Sequence, residues 1–162
     1  MNIILHPNSN HENGFHIENV MFGERVSNNI IENSYFYNIL YSNEEITLSN
    51  IHILFPLKFL NYNNYFNKYK LFFSCPINFK IINYIKEIED SILKKFGRFQ
   101  TTKTPQYKLY NQLLSKQIKV NTTSVIDNET HHINLLIKIS GLWEDQEHYG
   151  IIYSFLYYPS VT

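Results

Sequence analysis

Alanine is missing from this chain altogether, and cysteine and tryptophan occur once each. With alanine absent and asparagine, isoleucine, tyrosine and phenylalanine abundant, the composition looks like the bias of an AT-rich genome, and it says little about fold. The single Cys75 excludes an internal disulfide and argues against a thiolate metal site, so it reads as a packed thiol in a reducing compartment. Net charge is also lacking: 14 lysines and arginines balance 14 acids. No global field therefore draws in nucleic acid or an anionic membrane, and any such binding must rest on a local patch. No apolar run approaches the roughly 18 residues of a membrane span. The opening MNIILHPNSNHENG has too short an apolar stretch for a signal peptide, and the chain is expected to stay inside the cell that makes it.

What is present is enough for one core. A chain of 162 residues is one domain in length and buries about 70 % of its unfolded surface. Residues 1–14, rich in Asn and His after a short apolar stretch at Ile3 to Leu5, read as an arm, and residues 15–162 as a single domain. The clearest pattern is HHINLLIKISGLWEDQEHYGIIYSFLYY, from His131 to Tyr158. Ile133, Leu135, Ile137 and Ile139 alternate with Asn134, Leu136, Lys138 and Ser140, which predicts a strand with one apolar face. Gly141 marks a bulge or bend before Trp143, and Gly150 opens the return strand of a hairpin after the acidic turn.

Earlier in the chain, Tyr35 to Tyr41 alternates, Ser42-Asn43 supplies a turn, and Glu44 to Leu48 resumes an extended pattern, giving a second hairpin. Ile51 to Phe55 is a short apolar stretch, and Lys68 to Ser74 sets Lys68, Lys70 and Phe72 against Tyr69, Leu71 and Phe73, a strand with a basic outer face. The period then changes. Ile77, Ile81, Ile85, Ile88, Ile92 and Phe96 fall on one helical stripe, with Pro76 in the first turn and Gly97 at the end. A weaker helix is predicted from Pro105 to about Lys116, with Tyr107, Tyr110, Leu113 and Leu114 on one face, and residues 118–130 read as a loop. The fold class is thus a β-barrel with a helical insertion at 76–117. About five antiparallel strands, with a long and a shorter helix between the third and fourth, is the expected layout of an OB-fold.

Three blocks carry a resemblance: YFYNILYSNEEITLSNIHILF from Tyr35 to Phe55, the helix from Ile77 to Phe96, and IKISGLWEDQEHYGIIYSF with its Gly141-Leu142-Trp143 and Gly150. In this order they resemble the OB-fold single-stranded DNA-binding proteins of nucleocytoplasmic large DNA viruses, which are related in architecture to phage replication single-strand binders. The resemblance implies a viral protein that binds single-stranded DNA in replication, recombination or repair, with viral replication proteins as possible partners. It further implies a location in the host cell, in a virus factory or the nucleus.

Such binding needs cations along the backbone path and aromatic faces for the bases. Lys58, Lys68, Lys70 and Lys138 are the candidate cations, and Tyr37, Phe59, Tyr62, Phe72, Trp143, Tyr149 and Tyr153 the candidate aromatics. Each has a plainer role to weigh: the lysines as a solvated face that guards an edge, Trp143 as a core residue, and most tyrosines and phenylalanines as packing. His11, His16, His131, His132 and His148 lack the spacing of a metal site, since adjacent histidines in a strand point to opposite faces. Glu144, Asp145 and Glu147 read as a solvated turn. No phosphate-binding glycine loop, nucleophile elbow or zinc protease motif occurs, so neither an enzyme nor a cofactor is expected. The rival expectation is an OB-like interaction or structural module that binds another protein and no nucleic acid.

Overall fold

The computed structural model of the chain describes residues 4–5, 14–98, 102–122, 126 and 131–158. The arm expected over residues 1–14 lies largely outside them. In chain order the elements are β1 (Ile4–Leu5), a 3-10 turn (Ile17–Asn19), β2 (Val20–Ser27), β3 (Tyr35–Ser42), β4 (Thr47–Ser49), β5 (Ile51–Tyr65), β6 (Lys68–Phe73), α1 (Phe79–Gly97), β7 (Thr104–Gln106), α2 (Lys108–Leu114), β8 (Gln117–Asn121), β9 (His132–Glu144) and β10 (His148–Tyr157). The strands belong to one 10-stranded sheet. Within it β5, β6, β8, β10 and β9 pair in succession, and β9 returns to β5. These elements make a closed five-stranded barrel with two helices, which is an OB-like barrel.

Two details differ from the sequence reading. The helices fall between the second and third barrel strands, not between the third and fourth, and the β8–β10 ladder is parallel while the other four are antiparallel. Both differences have one origin. Gln117–Asn121 is a strand where a loop is expected, and β2, β3 and β4 extend the sheet beyond the barrel instead of building it.

β9 joins these two parts. Its residues His132 to Ile139 pair with β5, and Gly141 to Glu144 pair with β3. The β9–β10 register shifts between Ile152 and Tyr153, leaving Ser140 as the extra residue of a bulge, so the strand bends where the two pairings meet. Gly141 is required there because a Cβ would collide with the backbone carbonyl of Tyr37. At Gly150 the requirement is different: the indole of Trp143 lies across it, with Nε1 2.8 Å from where a Cβ would stand.

Inside the barrel the alternation does its expected work. Ile51, Ile53, Phe55, Leu57 and Phe59 of β5 face Leu71 and Phe73 of β6, Ile118 and Val120 of β8, and the even-spaced isoleucines and Leu135 of β9 in one buried cluster. α1 contributes Ile82, Ile85, Ile88, Ile92, Leu93 and Phe96 to the same cluster. Its start is later than the stripe predicts. Pro76 and Ile77 lie in the preceding turn, Ile77 is exposed, Ile81 is half-buried and Ile82 takes the core position. The cause is Asn78, whose buried amide accepts from Lys58 N (3.0 Å) and donates to Lys58 O and Ser74 O (both 2.9 Å), tying the helix start to β5. α2 is likewise shorter than expected: Pro105 belongs to β7, Leu109 and Leu113 are buried, and Leu114 is exposed.

One acid in α1 sets the position of α2. Glu89 is 0 % exposed, and its carboxylate accepts from the backbone N–H groups of Leu109 (3.0 Å) and Tyr110 (2.7 Å), capping the helix in place of a local side chain. Burial raises its pKa above the ordinary 4.5, and the two N–H donors lower it only in part. A raised folded pKa means that this group's contribution to stability is fully present below the unfolded value and is lost as pH rises through the folded one. The stability difference between the wild type and Glu89→Gln, measured by urea denaturation over a pH series, is therefore expected to move against the wild type as pH rises from about 4. A difference independent of pH would show that the group titrates alike in the folded and unfolded states.

Candidate nucleic-acid interface

The alternation that buries Tyr69, Leu71 and Phe73 turns Lys68, Lys70 and Phe72 to the outside of the barrel. Register then places Lys68 opposite Asn121, Lys70 opposite Lys119, and Phe72 opposite Gln117 on β8. On the other flank, an extra residue at Leu60 shifts the β5–β6 register, so Asn61, Asn63 and Tyr65 pair with Phe72, Lys70 and Lys68. The result is a three-strand outer face of three lysines, four amide side chains and two aromatics. The Lys70 ammonium lies 5.3 Å from the centre of the Phe72 ring. At the tip of the β5–β6 hairpin Tyr65 is 58 % exposed and Phe66 100 % exposed, and Phe66 has a positive φ of 52°. A bulky residue held in the left-handed region, with its ring in water, is a local cost that packing does not explain.

This face carries no acid. Between Glu45 and Glu87 the sequence has none, nor between Asp90 and Asp127, and those two stretches supply all three of its strands. The zero net charge thus conceals a segregated distribution. Lys119 joins this face without being a candidate in the sequence, because Gln117 to Asn121 is too short a pattern to register as a strand. The available signal was the alternation of Ile118 and Val120 with Gln117, Lys119 and Asn121, inside a stretch without acids.

Beside the face is a cleft of about 460 Å³ lined by Lys70, Lys119, Gln117, Asn121, Gln112, Tyr153, Ser154 and neighbouring Ile118 and Phe155. It lies where the barrel is least closed, since β8 and β10 pair only at Asn121 and Leu156. Tyr153, an expected site residue, forms part of its wall and donates from its hydroxyl to Lys108 O at 3.1 Å.

The other expected residues lie elsewhere. Lys58 is exposed on β5, opposite His132 and on the far side of the Leu60 bulge. Lys138 is half-buried on the outside of β9, between His52 and Ser154, one strand beyond the cleft. Burial first, and then the Lys138 charge, lower the pKa of His52. Phe59 is corrected outright: it is 1 % exposed and belongs to the barrel core, because its β5 position precedes the bulge and faces inward. Tyr62 packs on Phe59 and Tyr69, and Tyr149 is buried against Phe96.

Tyr37 and Trp143 sit at the opposite end of β9 from the lysine face. Tyr37 packs edge-on to Phe96 and donates to Glu144 Oε1 at 2.8 Å; burial, with that carboxylate, pushes its pKa up to about 12. Trp143 rests on Gly150 and has the Lys108 ammonium 4.1 Å from its ring centre, which leaves it no open face for a base. Glu144 also departs from expectation. It is 1 % exposed, held by Lys103 Nζ (2.9 Å) and Arg25 Nε (3.1 Å), and is not part of a solvated turn.

His11 lies outside the described residues. Among the described residues no group of three or more His, Cys, Asp or Glu side chains could hold a metal ion, and no helix is long and apolar enough to cross a membrane. No family model, curated protein or solved structure matches the chain.

Proposed function

We propose that this chain is a non-sequence-specific single-stranded DNA-binding protein of OB-fold type, acting by occupancy and without chemistry of its own in viral DNA replication, recombination or repair. The observation that carries the reading is the acid-free outer face of β5, β6 and β8, where Lys68, Lys70 and Lys119 stand among Phe72, Tyr65 and Phe66. A single strand offers one phosphate per nucleotide and bases free to leave one another, and such a face answers both needs. The lysines displace counterions along the backbone. The exposed rings offer stacking at about 1–3 kcal/mol per base, with little regard to base identity. The second and third strands and the first hairpin loop of a barrel of this type are the surface that OB-folds use for oligonucleotides. On this reading the host cell is the setting and viral replication proteins are the partners.

A second reading, a protein-interaction module, is favoured by the other end of the sheet, where Met21, Val26, Ile31 and Phe36 are exposed and Ile30 is 93 % exposed. The two readings separate in a titration of labelled oligo-dT and a matched duplex, followed by fluorescence anisotropy across a salt series. Tight binding to oligo-dT is expected, weaker binding to duplex, and log affinity falling linearly with log salt by about 0.7 per phosphate engaged. Absence of oligo-dT binding at low salt would overturn the proposal in favour of the interaction module.

A further inference from the structure

Lys70 and Lys119 are directly opposed across the β6–β8 ladder, an arrangement that costs stability unless an anion lies between or beside the two ammonium groups. Both line the cleft between β8 and β10. We propose that this cleft is a nucleotide pocket that takes one base out of the bound strand, its phosphate held at the rim by Lys70 and Lys119. The inference rests on the single-strand reading and deepens it, since the outer face alone would hold every nucleotide alike.

Three features favour a nucleotide as the occupant. The cleft volume of about 460 Å³ lies within the range of small-ligand sites, about 300–1,000 Å³. Its lining includes Tyr153 of β10 together with Gln117 and Asn121 of β8, an aromatic ring and two amide side chains able to donate to and accept from a base edge. Lys70 and Lys119 stand together in its lining, where a phosphate beside the base would meet both, and the Asn121–Leu156 pairing bounds the cleft between β8 and β10. Ser154 sits in the β10 wall on an outward-facing, half-buried position, where a larger side chain fills the cleft without entering the core.

The test uses the intact chain and two probes, thymidine 5′-monophosphate and inorganic phosphate, followed by backbone amide NMR. The monophosphate is expected to shift the resonances of Lys119 and Ser154 saturably, and phosphate alone to do so several-fold more weakly. Ser154→Trp is expected to abolish these shifts and to lower oligo-dT affinity about tenfold, as for the loss of one stacked base, with the salt slope unchanged. Equal shifts from the two probes, or an Ser154→Trp variant that binds oligo-dT as tightly as wild type, would overturn the pocket while leaving strand binding intact. Cleft shifts with a glutamate-rich peptide and none with the monophosphate would reassign the cleft to a protein partner. Failure of the wild type to bind oligo-dT at all would overturn the single-strand reading itself, whatever the monophosphate does.

Discussion

Replacing Lys70 and Lys119 together by Glu is expected to weaken oligo-dT binding about a hundredfold at low salt and to reduce the salt slope by about 1.4, two phosphates' worth. The size follows from removing two cations and installing two anions on a face that has no acid to begin with. The single variant Lys119→Glu provides a signature that a merely structural role would not produce. It turns a like-charge cross-strand pair into an attractive one, so the fold is expected to gain about 0.5 kcal/mol while DNA affinity falls. Opposite signs in the two measurements, urea denaturation and anisotropy, would mark a face whose charges are retained for binding at a cost to folding. Unchanged affinity in the double variant would remove both lysines from the interface.

Replacing Glu144 by Ala is expected to destabilise the fold by about 3 kcal/mol. The carboxylate is buried and receives Arg25 from β2, Tyr37 from β3 and Lys103 from the segment before β7, so one side chain ties three parts of the chain to the end of β9. Its loss leaves the largely buried Lys103 ammonium without its counter-charge. Arg25 suffers less, being half exposed and stacked on Tyr35 at 3.4 Å. Urea denaturation measures the loss, and NMR titration of Tyr37 supplies a second readout, because its pKa of about 12 should fall once the carboxylate is gone. A loss under about 1 kcal/mol, the worth of a surface pair, would mean that water replaces the carboxylate without penalty. Oligo-dT affinity is expected to be unchanged in this variant at temperatures where it is folded, since the cluster lies at the far end of β9 from the lysine face.

Where apolar periodicity was strong, the sequence was readable. The β9–β10 hairpin, its bend at Gly141, the basic outer face of β6 and most of the α1 stripe follow from alternation or from spacings of three and four. Weak or short patterns misled in both directions. Gln117–Asn121 has only two inward residues and reads as a loop in the sequence, yet without it the barrel does not close. Tyr35–Ser42 alternates well enough to suggest a barrel strand, although it pairs only with the outer half of β9, and with β2 and β4. Phe59 and Phe72 mark the same limit at the site. Phe72 is turned outward by the alternation of its own strand, which is legible in the sequence, whereas Phe59 lies past the Ile51 to Phe55 stretch that the sequence marks, and only the long β5 strand and its pairing place it in the core.

The sequence by itself determined that there is one core, that its strands and main helix have these faces, and that acids are excluded from two long stretches of an otherwise neutral chain. Those are local properties, set by the period of a strand or a helix and by which residues are charged. Tertiary structure alone decided that the two acid-free stretches lie side by side, because the pairing of β6 with β8 crosses both helices. It also decided that Glu144 is buried, and that a cleft remains where β8 and β10 barely meet. Each of these depends on contacts between residues far apart in the chain, and no local pattern encodes such contacts.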